Sequence, residues 1–102
     1  MFDTLINTPV IIRSNDSGVH YGYLAEVIDS GRTVRLTNSR RLWKWKVAGN
    51  GISLSEVAIT GIDHSESRIT MPLPNLVVVG VCEIIPAHGM ATATIEGAPV
   101  AS

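Results

Sequence analysis

The sequence predicts a mostly β protein, a small curled sheet or open barrel with one short helix. Three observations carry that expectation. β-Branched and aromatic runs recur between clusters of Gly, Asn, Asp and Ser. One stretch, Ser53-Leu54-Ser55-Glu56, has the signature of a helix start. The most apolar segment, residues 77–85, reads as a central strand.

Residues 1–8 are a short helical turn or a loose arm. Residues 9–13 are a β-branched first strand with Pro9 at its start. Residues 14–18 are a dense turn cluster. The second strand, residues 19–28, alternates poorly, which predicts burial on both faces or a bulge at Gly22. A hairpin turn at 29–32 leads to a third strand at 33–37, with Val34 and Leu36 facing one way. Residues 38–45 follow as a fresh strand or an irregular wall. After Ala48-Gly49-Asn50-Gly51, the Ser53 hydroxyl can reach the Glu56 amide and the Glu56 carboxylate can reach back. Gly61 then stops a helix of about two turns. A strand from residue 68 is interrupted by Pro72 and Pro74, which suit an edge or connector. Gly80 marks a bulge in the apolar segment, and Cys82 is a buried small hydrophobe. Residues 1–86 thus form one β-rich domain. Residues 87–102 are small and uncharged apart from Glu96, and predict a C-terminal tail ordered on a neighbouring subunit.

A chain of 102 residues with 45% apolar and 17% charged residues is one globular domain. Its net charge of −1 argues against a dedicated nucleic-acid binder. Positive charge is nevertheless concentrated, since Arg32, Arg35, Arg40, Arg41, Lys44 and Lys46 are six of the eight basic residues. A single cysteine forbids an internal disulfide and fits a reducing compartment. The N-terminus lacks a signal-peptide pattern, and no apolar run reaches membrane-spanning length. The expectation is a soluble intracellular protein with no membrane partner.

Recognition chemistry is densest in Asn38-Ser39-Arg40-Arg41-Leu42-Trp43-Lys44-Trp45. Arginine presents a planar fork of donors that fits phosphate, and tryptophan a wide flat face. Together Arg40, Arg41, Trp43 and Trp45 suit a ligand with an anionic part and a flat part. In an extended stretch Arg41, Trp43 and Trp45 share one face, and Arg40, Leu42 and Lys44 the other. Two readings of the tryptophans stay open, core and site. Ser17-Gly18-Val19-His20-Tyr21-Gly22 adds His20, which titrates near neutral pH, and Tyr21 on the opposite face. No catalytic residue is assigned: nucleophile and phosphate-loop motifs are absent, and Ser17 with His20 is discounted as a nucleophile–base pair. His20, His64 and His88 are too scattered for a metal site, and no cofactor is expected.

The pieces Ser17-Gly18-Val19-His20-Tyr21-Gly22, Asn38 to Trp45, Ser53-Leu54-Ser55-Glu56-Val57-Ala58 and Glu83-Ile84-Ile85-Pro86, in that order, resemble a family of small uncharacterised proteins found mainly in bacteriophage genomes. The resemblance implies a viral protein in the host cytoplasm. The paired arginines beside paired tryptophans in a chain of near-zero net charge lead to a non-enzymatic binding protein that captures a small anionic nucleotide-like ligand as a homo-oligomer, and the phage setting suggests a host defence signal as that ligand. The alternative is a small virion or assembly component, which would place it in the virion. A third reading, ranked lower on net charge, is a single-stranded nucleic-acid-binding β module.

Overall fold

The computed structural model describes residues 3–101. The expected arm therefore lies partly outside the described residues, which begin with a single helical turn, Asp3–Leu5. Six strands follow: β1 (Pro9–Ser14), β2 (Gly18–Ile28), β3 (Thr33–Lys44), β4 (Arg68–Ile69), β5 (Leu73–Val78) and β6 (Val81–Pro86). Two helices complete the fold, α1 (Leu54–Thr60) and α2 (Gly89–Glu96). All strand pairs are antiparallel.

β2 lies in the middle, between β1 and β3. β5 and β4 share the far edge of β3, and β6 takes the far edge of β1. Only Val79 and Gly80 join β5 to β6, so the sheet curls until its two edges approach. No ladder closes it, and the result is an open, curled sheet. The β-branched run of β1 explains why both faces are buried. Val10 and Ile12 point into the curl with Leu24, Val34, Leu36 and Val78. Ile11 points outward, into a second core with Tyr21, Leu42, Val57 and Ile95 under the helices. Each such aliphatic side chain contributes about 1.5–3 kcal/mol by leaving water.

β3 is one strand twelve residues long, so the arginine–tryptophan stretch continues the third strand. A bulge makes that continuation significant. Tyr21 pairs with Arg40 and Tyr23 with Thr37, so two steps along β2 answer three along β3. The extra residue is at Asn38, whose φ of 51° suits a short polar side chain that tolerates the left-handed region. Gly22 faces this bulge. A Cβ there would sit 3.0 Å from Leu36 Cβ and 3.2 Å from the Thr37 carbonyl. The bulge expected at Gly22 is thus carried by the opposite strand, and Gly22 gives it room.

α1 begins and ends where the sequence places it. The cap differs in detail: the Ser53 hydroxyl donates to Glu56 Oε1 at 3.1 Å, and the same oxygen receives the Ile52 amide at 3.1 Å. These bonds hold the Glu56 carboxyl below its ordinary range, the Ile52 amide contributing most. Gly61 ends the helix at φ 90°.

Three expectations are corrected. Residues 77–85 are not one central strand but parts of two edge strands, parted at Gly80, whose φ of 68° makes the turn. Cys82 is exposed on β6, because an edge strand has one open face. The segment expected as a tail ordered on a neighbour holds α2, docked on its own chain. Ala91, Ile95 and Ala98 are buried at helical spacing. The small residues that argued for a tail let α2 lie close against α1.

Candidate functional site

The bulge at Asn38 sorts the central segment onto two faces. Beyond it, Ser39 and Arg41 share the inner face with His20, while Arg40 and Leu42 share the outer face with Tyr21. At the mouth of the curl lies a cleft of about 260 Å³. Its polar lining is His20, Ser39, Arg41 and Thr70; its apolar walls are Met71, Leu73 and Leu76. Its far wall exists because the neighbouring strand is interrupted. Ile69 pairs with Leu42 and Leu73 with Ser39, so four steps along this side answer three along β3, and Met71 and Pro72 form no ladder pair with it. Thr70 spans the gap: its hydroxyl accepts the Arg41 amide at 2.9 Å, and its own amide donates to the Arg41 carbonyl at 3.1 Å.

Two polar atoms of cleft-lining residues, His20 Nδ1 and Ser39 Oγ, are buried without a hydrogen-bond partner. His20 is only 3% exposed and Ser39 1%. Buried polar atoms are nearly always paired, so two orphans at one cleft mark unused bonding capacity. The other imidazole nitrogen, Nε2, lies 3.1 Å from Ser17 Oγ. Burial, and secondly the Arg41 charge, push the His20 pKa down and favour the neutral ring. Arg41 itself is exposed, and its Nη2 donates to the Ser17 carbonyl across the mouth.

Thr70 also lines a second cleft, of about 250 Å³, with Trp43, Arg68 and Ala101. Trp43 is 69% exposed, which is unusual for so large an apolar side chain. It stands two residues along β3 from Arg41, where the pairing with β4 shifts register between Leu42 and Lys44. The two clefts share Thr70 as a common wall, with Arg41 lining one and Trp43 the other.

Of the six residues singled out in sequence, the structure places His20 and Arg41 at one cleft and Trp43 at the adjoining one. The other three serve the core. Arg40 is 3% exposed; it donates to the carbonyls of Thr70, Ile95 and Ala98 at 2.8, 2.8 and 2.7 Å. Its guanidinium ties the end of α2 to β3 and faces away from both clefts. Tyr21 is fully buried under the helices, and its hydroxyl donates to Glu96 Oε2. Burial, then that bond, raise its pKa far above the ordinary phenol value. Trp45 lies past the end of β3 and packs against the outer core. Other cations of the basic cluster have their own partners, Arg35 with Glu26 at 3.2 Å and Lys46 with Glu66 at 3.1 Å.

Ser39, Arg68, Thr70, Met71, Leu73 and Leu76 were not singled out from the sequence. A signal existed for the wall: prolines at 72 and 74 beside an edge strand mark a place where pairing fails. Nothing in the sequence marked Ser39, whose direction depends on the bulge. Among the described residues no His, Cys, Asp or Glu cluster fits a metal ion. No helix among them is long and apolar enough to cross a membrane.

These features define a class: an open, curled antiparallel sheet with helices on its outer face and, at its mouth, a largely apolar groove with a few polar side chains. The chain belongs to the family described as Domain of unknown function (DUF6948), whose family model matches residues 7–95. A comparison with curated proteins finds no match.

Proposed function

We propose that this protein is a non-enzymatic binding module that captures a small anionic nucleotide-like ligand across the two clefts that share Thr70. The observation that carries the proposal is the placement of exposed Arg41 and Trp43 at these clefts, the first also lined by His20 and Ser39, whose Nδ1 and Oγ have no partner. Arg41 clamps phosphate, Trp43 stacks on the base, and His20, Ser39 and Thr70 fix orientation. The apolar wall of Met71, Leu73 and Leu76 excludes water from the flat part of the ligand. A phage-type setting, capture of a host defence signal and a homo-oligomeric state belong to the same proposal. Exposed Leu73, Val77 and Val79 on and beside β5 support the oligomer.

Calorimetric titration with mono-, di- and cyclic nucleotides tests it. Saturable binding is expected for at least one class. Arg41→Ala should weaken it about 10- to 100-fold, the worth of a charge-assisted hydrogen bond. Trp43→Ala should weaken it to a similar degree. Absence of heat across the whole panel, or binding undiminished in the double variant, would overturn the assignment.

A further inference from the structure

The outer side of the bulge carries clefts separate from the two that share Thr70. Two clefts meet there at Asn38. One, of about 210 Å³, is lined by Asn38, Arg40, Pro72 and Glu96. The other, of about 410 Å³, is lined by Asn7, Tyr23, Thr37, Asn38 and Pro74. Arg40 lines the first with a guanidinium whose Nε and Nη1 are fully engaged, while Nη2 is buried without a partner. A charged donor in a side chain 97% removed from solvent is rarely left unpaired.

The chemistry beside that donor narrows what fits it. Glu96 is exposed at the cleft, and its Oε2 receives the hydroxyls of both Tyr21 and Tyr23. Its second oxygen carries neither bond. A ligand here must offer an acceptor to Arg40 and a donor to Glu96. A phosphate or carboxylate would meet the Glu96 charge, and an ammonium has no acceptor for the guanidinium. A hydroxyl does both jobs, since it donates once and accepts twice. The side chains of Asn7, Thr37 and Asn38 extend the same mixed donor and acceptor pattern, and Tyr23 with Pro74 adds an apolar surface for C–H groups.

We infer that this outer cleft binds a neutral polyhydroxylated ring, a sugar, with vicinal hydroxyls bridging Arg40 and Glu96. Proton–nitrogen NMR titration of the full chain tests this, with D-glucose, D-galactose, D-ribose and adenosine as probes up to about 100 mM. Shallow sugar sites bind in the millimolar range. Saturable shifts are expected at the amides of Asn7, Tyr23, Asn38 and Glu96 with at least one probe. A free hexose and a ribose held in a nucleoside are separated by which arm responds. Glu96→Gln and, outside the tyrosine–carboxylate cluster, Asn7→Ala should each weaken the response about fivefold or more, in variants with wild-type circular dichroism. No saturable shift with any probe, shifts confined to His20, Arg41 and Trp43, or affinities unchanged in both variants would overturn the inference. The last two outcomes leave the nucleotide proposal standing.

Discussion

Arg40 and Arg41 are neighbours in sequence and opposites in structure. Arg40 points outward, beneath α2, and spends two of its three nitrogens on backbone carbonyls. Arg41 points to the inner face, is exposed, and makes one side-chain bond, to the Ser17 carbonyl. The same functional group is a structural bolt on one side of β3 and an exposed side chain lining a cleft on the other. Residue type therefore said little about role here. Which side of the sheet a residue occupies decided it, and the bulge at Asn38 decides the side.

The widest test of that contrast is a pair of substitutions. Arg40→Leu leaves the Ala98 carbonyl without its donor and the Ile95 carbonyl with the Ala98 amide alone. Breaking such a buried charged network should cost about 3 kcal/mol, read as a lower urea midpoint. Arg41→Ala removes an exposed side chain and should change stability by about 0.5 kcal/mol or less. Equal losses from the two would erase the distinction.

A smaller effect is expected where the bulge is accommodated. In Gly22→Ala the new methyl group meets Leu36 Cβ at 3.0 Å and the Thr37 carbonyl at 3.2 Å, closer than ordinary van der Waals contact. Overpacking of this kind costs about 1–3 kcal/mol. The penalty should come with altered amide shifts at Ser39 and Arg41, because β3 must move to make room. Asn38→Ala is milder. It keeps the bulge but places a side chain with no local hydrogen bonding at φ 51°, for about 1 kcal/mol. If either variant lowered stability with the shifts of Ser39 and Arg41 unmoved, the bulge would not be what orients them.

The same geometry explains what could be read from the chain beforehand. Strands β1 and β2, helix α1 and the stop at Gly61 were legible, because β-branched runs, turn clusters and a capping pair are local signals. His20, Arg41 and Trp43, which line clefts, were picked out by residue chemistry alone. Arg40, Tyr21 and Trp45 have the same chemistry, and only tertiary placement separates them. A one-residue insertion reverses every side chain beyond it, and Asn38 announces no such insertion in sequence. Helix α2 was missed for a different reason. Ala91, Ile95 and Ala98 do repeat at helical spacing, but against so many small residues the stripe has little contrast.

The gentlest probe is pH, and it bears on the inner face alone. The His20 pKa is lowered in the folded protein, by burial first and by Arg41 second. The unfolded chain therefore binds a proton that the folded chain resists, from about pH 6.5 downward. Stability attributable to this group is present above that value and is lost as pH falls through the lowered one. Denaturant titrations between about pH 8 and pH 5 should show the midpoint declining below pH 6.5, and His20→Gln should flatten that limb. Glu56 and Asp63, whose pKa values are also lowered, lose their contributions only below their unfolded values near pH 4, so that acid limb should survive the substitution. Arg41→Ala should shorten the histidine limb without abolishing it, because burial is the larger cause. A wild-type profile with no decline between pH 7 and pH 5, or one that His20→Gln leaves unchanged, would mean that the imidazole is not held neutral at the mouth of the curl.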